Sequence, residues 1–302
     1  MENMKEYYEN LRKECLLYKN RQLAIGQGII EKVYPLIRNY KIEIEGEENV
    51  PKDTNVLFVT NHSNSHDAFT AYELFSLLGR KGSEMVGSDC LSPIVQKIFD
   101  ISDATLLDRR SKEECSQAAI SMASKILNGK DGLIYGESTW NLHPILPMHN
   151  IKNGATKIAL IAGVPIIPTI IEYIEVNDKV DTESKLITKC IIRFGKPIIP
   201  SIETSLPVQS KALTDEMSLM RKQVWVDNGI KRDSLTDVDK ELYMNHTYVK
   251  KFKALGFTYD SESESKYLLY LPGEAKENEY TINEAGEFVP GITEKNKVKK
   301  LG

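Results

Sequence analysis

Residues 41–200 predict one α/β domain, with a central mixed sheet and helices on both of its faces, because strand-like and helix-like segments alternate along them. Short apolar runs rich in β-branched residues recur, as in Asn55–Thr60 and in the segments PIIPTIIEY and ITKCIIRFG. Runs of that length and composition read as buried strands. Stretches with apolar residues at helical spacing lie between them. Gly and Pro punctuate the joins, as at Gly129 and at Gly163-Val164-Pro165.

The elements follow in order. Residues 4–38 read as a helical pair: Tyr7, Leu11, Cys15 and Tyr18 share one face, and Ile25, Ile29, Val33 and Leu36 repeat the pattern after a break near Gly26 and Gly28. The mixed charge of the polar faces favours packing on the main domain over contact with lipid. KIEIEG alternates like a short strand, and Asn55–Thr60 is a buried one. Asp67–Leu78 has helical periodicity, and Ala104–Asp108 is again a strand. Ser111 and Glu114 form a capping box, in which each satisfies the other's backbone donor. The helix they open carries Cys115, Ala118, Ala119, Met122 and Ile126 on one face and stops at Gly129. GLIYGE is a strand, Ala155–Ala162 a helix, and residues 208–228 an amphipathic helix with Leu213, Met217, Met220 and Val224.

From about residue 255 the composition turns polar and charged, in SESESK, GEAKENEY and the final KNKVKKLG. This predicts a small appended hairpin region and a flexible end. The expected division is therefore N-terminal helices over 1–40, the α/β domain over 41–230 and a C-terminal extension over 231–302.

Composition narrows the function. The net charge of −4 gives no general pull toward nucleic acid. Cys15, Cys90, Cys115 and Cys190 are widely spaced and form no CxxC pair, which argues against a zinc ribbon or a disulfide framework and for reduced thiols in a cytoplasmic protein. The first residues have no apolar core of a signal peptide, and no run of 18 apolar residues occurs. A lipid substrate would be met from the water side, by a cytoplasmic protein in peripheral contact with the inner face of the membrane.

The segment with the most chemistry is Asn61-His62-Ser63-Asn64-Ser65-His66-Asp67, directly after a buried strand and before a helix. Strand ends are where an α/β sheet presents reactive groups. The five-residue step from His62 to Asp67 suits a turn that folds a carboxylate onto an imidazole. A carboxylate on one ring nitrogen fixes the tautomer and raises the basicity of the other. That is the base-and-orienter half of a triad, with a substrate hydroxyl in place of a serine. As alternatives, His62 is a satisfied histidine at a strand end, and Asp67 only a cap for the helix it opens. A metal site of His62, His66 and Asp67 lacks the His-Glu pairing of a hydrolytic zinc helix, and Ser138 does not stand in a G-x-S-x-G elbow.

These residues resemble the glycerolipid acyltransferase superfamily, which includes the lysophosphatidic acid acyltransferases. Its His-x4-Asp motif matches His62…Asp67, and IEGEENVPKDTNVLFVTNH is similar to its approach to the histidine. Leu106-Leu107-Asp108-Arg109 matches a second motif that ends in Asp-Arg. Tyr135-Gly136-Glu137-Ser138-Thr139 aligns with a third, usually Phe-Pro-Glu-Gly-Thr, and Val164-Pro165-Ile166-Ile167-Pro168 with a fourth. The resemblance covers about half of the chain, with the motifs in the family's order. It departs at Gly136 and Ser138, which replace the family's Pro and Gly, and at Asp103, where the second motif begins with Gly.

What the resemblance implies is a glycerolphosphate acyltransferase-like fold and transfer of an acyl group from acyl-CoA or acyl carrier protein to a hydroxyl, most directly that of 1-acyl-glycerol-3-phosphate in phospholipid biosynthesis. His62 is then the general base and Asp67 its orienter. Arg109 is the anion clamp on a phosphate, and Glu137, Ser138 and Thr139 bind substrate. Glu137 reads equally well as a buried acceptor of backbone N–H groups. No metal and no cofactor are expected beyond the acyl donor. The altered third motif supports a sugar or polyol acceptor as an alternative. A non-catalytic lipid- or acyl-carrier-binding protein and a thioester hydrolase are the other two.

Overall fold

The computed structural model describes residues 2–17, 25–64, 66–109, 111–141, 145–175, 187–230 and 232, with four short strands nearer the C-terminus. Its centre is a seven-stranded sheet of β1 (Lys41–Glu45), β2 (Leu57–Thr60), β3 (Gly82–Gly87), β4 (Thr105–Leu107), β5 (Asp131–Tyr135), β6 (Ile166–Glu175) and β7 (Ile187–Phe194), in the order β1-β7-β6-β2-β5-β3-β4. All neighbours run parallel except β6 and β7, which are antiparallel, so the expected mixed α/β sheet is found.

Alternation along the strands feeds two cores. Leu57, Val59, Ile134, Ile166, Ile170 and Ile191 face one side. They meet α1 (Glu2–Leu17), α5 (Lys112–Leu127), α6 (Gly154–Ala162) and α7 (Leu206–Asp227), through residues such as Cys15, Met122, Ile158 and Met217. Phe58, Leu133, Ile167, Ile171 and Ile192 face the other side, against α2 (Ile25–Ile37) and α3 (Asp67–Leu77), through Tyr34, Tyr72, Leu74 and Phe75. A short-period pattern thus places helices on both faces of the sheet.

Local chemistry explains several details. Gly26 and Gly28 do not break the second helix, which begins at Ile25 and runs through both; residues 18–24 lie outside the described part. A helical glycine costs only about 1 kcal/mol against alanine, and packing of α2 on α3 offsets it. Ser111 caps α5 by accepting from Glu114 N at 3.2 Å, but the Glu114 carboxylate takes Asp108 N instead of Ser111 N. Ser111 N already donates to Asp108 O, so only half of the capping box forms. Pro168 is tolerated inside β6 because its carbonyl accepts from Gly195 N: its ring nitrogen faces that same bend, and no ladder bond to β2 is lost.

Two elements are not apparent in the sequence. GSEMVG forms β3 although it is framed by glycines and buries Glu84, and Pro93–Ile101 forms a helix, α4, with Ser92 as its cap. Gly82 is required there: a Cβ would lie 2.2–2.3 Å from the ring carbons of buried Phe75. Gly82→Ala is expected to destabilise the fold by about 1–3 kcal/mol, the usual range for overpacking, seen as a lower midpoint in urea unfolding; an unchanged midpoint would mean that α3 shifts freely.

Thr258–Tyr259 pairs with Leu269–Tyr270, and Tyr280–Ile282 with Phe288–Pro290, each antiparallel. The rest of the expected C-terminal extension lies outside the described residues, Arg232 excepted.

Candidate active site

The order β2-β5-β3-β4, all parallel, brings the ends of four strands to one edge of the sheet. That is why segments far apart in sequence meet: His62 follows β2, Glu137–Thr139 follow β5, Asp89 follows β3 and Arg109 follows β4. The fourth motif lies elsewhere. Ile166 pairs with Leu57, the first residue of β2, so Val164 and Pro165 sit at the opposite edge, where they serve to start β6.

His62 and Asp67 meet as expected, with Nδ1 2.8 Å from Oδ2. The same Oδ2 accepts the backbone N–H groups of Ser63 at 2.8 Å and Asn64 at 2.9 Å. Asp67 is fully buried, and its carboxylate turns back onto the preceding loop instead of capping α3. With an ionised acceptor on Nδ1, that nitrogen carries the proton and Nε2 carries the lone pair. Asn61 anchors the loop from behind: its Nδ2 donates to Ile171 O at 2.9 Å, and its Oδ1 accepts Ile171 N at 2.8 Å.

Two rings that the sequence reading did not single out hold the imidazole flat. Tyr135 stacks on His62 with centroids 4.0 Å apart, and Trp140 lies 4.2 Å away. The Tyr135 hydroxyl donates to Glu84 Oε1 at 2.5 Å. Burial pushes the Glu84 carboxyl well above its usual range, against the pull of the Tyr135 hydrogen bond and with the Asp67 charge adding to the rise.

Glu137 lies beside this pair and is 1% exposed. Its Oε1 accepts His62 N at 3.0 Å, and its Oε2 accepts His149 N at 2.6 Å. Burial lifts its carboxyl to about 7, against the opposing pull of Arg221 and of the two N–H groups. Of its two sequence readings, the structure displays the backbone acceptor. Ser138 adopts φ 56°, a left-handed turn that lets its carbonyl accept from Arg109 Nη1 at 2.6 Å. The Thr139 hydroxyl is buried, with no protein partner among the described residues.

Arg109, expected to clamp a phosphate, lies at this edge with its fork engaged. Nε and Nη2 both lie 2.9 Å from carboxylate oxygens of Asp89, a residue the sequence reading passed over. Arg221 braces the same loop from α7: it donates to Glu172 at 2.6 Å, to Pro147 O at 2.9 Å and to Ser63 Oγ at 3.2 Å. Although burial opposes it, the charges of Arg221 and Arg232 hold the Glu172 carboxyl below its ordinary value. His66 turns to Tyr34, whose hydroxyl lies 2.6 Å from its Nδ1, and packs near Tyr40 and Tyr173. No group of three metal-binding side chains occurs among the described residues.

Comparison with known proteins adds a family. Residues 41–172, which hold every site residue read from the sequence, match the family model described as Acyltransferase. No curated protein gives a significant match. The fold resembles the crystal structure of the 1-acyl-sn-glycerophosphate (LPA) acyltransferase of Thermotoga maritima, at 18% identity and a TM-score of 0.49, over 72% of this chain and 88% of that one.

Proposed function

We propose that this chain, whose residues 41–172 match the family model described as Acyltransferase, moves an acyl group from a thioester, acyl-CoA or acyl carrier protein, to a hydroxyl, with His62 as general base. The observation that carries this reading is the 2.8 Å contact of His62 Nδ1 with a carboxylate oxygen that two backbone N–H groups already hold in place. An acceptor hydroxyl against Nε2 gives up its proton as its oxygen attacks the thioester carbonyl. The C–S bond then breaks, and the thiolate takes the proton from the imidazolium. A positioned base of this kind contributes about 10²–10⁴-fold. Positioning and donors aimed at the oxyanion supply the rest.

The resemblance to lysophosphatidic acid acyltransferases points to 1-acyl-glycerol-3-phosphate as acceptor, with Arg109 at its phosphate. One observation favours a second reading, an acceptor without phosphate: Asp89 already occupies the Arg109 fork. Mass spectrometry of the products from acyl-CoA and a panel of acceptors tests the function. An acylated acceptor is expected. Free fatty acid alone would make the protein a hydrolase, and no thioester consumption would make it a binding protein.

An acyl donor and a lipid acceptor also call for a membrane contact, which we place on α2 and α4. No helix among the described residues is long and apolar enough to cross a membrane. Ile94, Ile98 and Ile101 are exposed on one face of α4, and Val33, Leu36 and Ile37 on α2, which packs beside it. Replacing Ile94, Ile98 and Ile101 together by Ser is expected to lower affinity for phospholipid vesicles at least tenfold, since burying one such side chain is worth about 1.5–3 kcal/mol. Co-sedimentation checks this, and unchanged binding would move the contact elsewhere.

A further inference from the structure

Resting on acyl transfer to a hydroxyl, we propose that Asp89 is a specificity-determining residue: it occupies the Arg109 guanidinium, so that the acceptor subsite takes a hydroxyl compound without phosphate. The geometry is that of a closed pair. Arg109 Nε lies 2.9 Å from Asp89 Oδ1 and 3.1 Å from Oδ2, and Nη2 lies 2.9 Å from Oδ2. This is the two-point match between guanidinium and carboxylate that a phosphate would otherwise use. The Asp89 side chain is 0% exposed and that of Arg109 only 9%.

The surroundings hold the pair shut. A Cβ at Gly87 would lie 3.0 Å from both Arg109 Nε and Asp89 Oδ1, so the backbone of β3 presses against the two side chains. On the other side, the left-handed turn at Ser138 directs a carbonyl at Nη1 from 2.6 Å. A phosphate that approaches Arg109 therefore meets a carboxylate and a carbonyl oxygen, both of which repel it. Arg221, the other guanidinium that touches the His62 loop, lies 2.6 Å from Glu172. Among the described residues, Arg109 and Arg221 are thus each matched by a buried carboxylate. A neutral hydroxyl carries no charge for such a site to repel. The acceptor class that fits is a polyol or a monoacylglycerol.

The test compares 1-monoacylglycerol with its 3-phosphate, at one acyl chain length, with acyl-CoA as donor. The ratio of kcat/KM values is measured for wild type, Asp89→Asn and Asp89→Asn/Arg109→Gln. Wild type is expected to favour the neutral acceptor by at least tenfold. Asp89→Asn keeps an oxygen on Arg109 but frees its charge, and is expected to shift the ratio toward the phosphorylated acceptor by tenfold or more, chiefly through KM. The double variant, with no cation left, is expected to lose that shift. A wild-type preference for the phosphorylated acceptor would overturn the proposal, and that arm holds even where a variant fails to fold. An unchanged ratio in folded Asp89→Asn would overturn it as well. If wild type acylates neither compound nor free glycerol offered as a polyol, the acyl-transfer reading falls separately. Calorimetry with glycerol 3-phosphate then decides the role of Asp89: binding gained by Asp89→Asn supports it, and no gain overturns it.

Discussion

His62→Ala is expected to lower kcat for acyl transfer by about 10²–10⁴, the range a positioned general base contributes. The ring sits at the end of β2 between Tyr135 and Trp140, and its Nδ1 is committed to Asp67. Nε2 is thereby left as the basic atom, and alanine removes it without touching the strands that carry it. The Asp67 carboxylate keeps the N–H groups of Ser63 and Asn64, so no bare buried charge is left behind. The melting temperature should fall by only a few degrees, since about 1 kcal/mol shifts a domain of this size by about 2–4 °C. Steady-state kinetics and thermal unfolding on the same preparation check both halves. Near-wild-type turnover with an intact fold would remove His62 from the chemistry.

Asp67→Asn is expected to cost up to about 10²–10⁴ in kcat, the range that general-base catalysis contributes. The reason follows from the donors. Three N–H groups converge on Oδ2, so asparagine must place its oxygen there, and the loop and the tautomer of His62 survive. Its amide nitrogen then takes the place of Oδ1, which is buried with no partner among the described residues. An unsatisfied buried donor of that kind costs about 1–3 kcal/mol of stability. The catalytic loss comes from the missing negative charge, which no longer stabilises the imidazolium formed when the acceptor gives up its proton. Kinetics of the folded variant test this, and retention of more than a tenth of the activity would show that Asp67 only shapes the loop.

Much of this was legible in the sequence, for reasons that particular residues make clear. The β-branched runs of β2, β6 and β7 and the spacing of Ala118, Ala119, Met122 and Ile126 report burial directly, and the structure buries them. His62 and Asp67 were readable because a short turn between a strand and a helix leaves few ways for five residues to fold. Asp89 was not readable. It pairs with Arg109 across 20 residues, through adjacent parallel strands whose order no local pattern encodes. Tyr135 and Trp140 flank a motif glutamate, yet that they face His62 depends on the register of β5 against β2. Glu84 breaks the apolar pattern of β3 because its partner is the Tyr135 hydroxyl, and this polar residue hid the strand. In each case the missing information was a contact between strands that are remote in sequence.

The most direct test of acyl transfer by His62 is the release of free thiol from acyl-CoA, followed with and without a hydroxyl acceptor, for wild type and His62→Ala side by side. Thiol release by wild type is expected to depend on the acceptor, to be matched mole for mole by acylated acceptor, and to fall by about 10²–10⁴ in the folded variant. Acceptor-dependent release that persists at the wild-type rate in His62→Ala would contradict acyl transfer by His62.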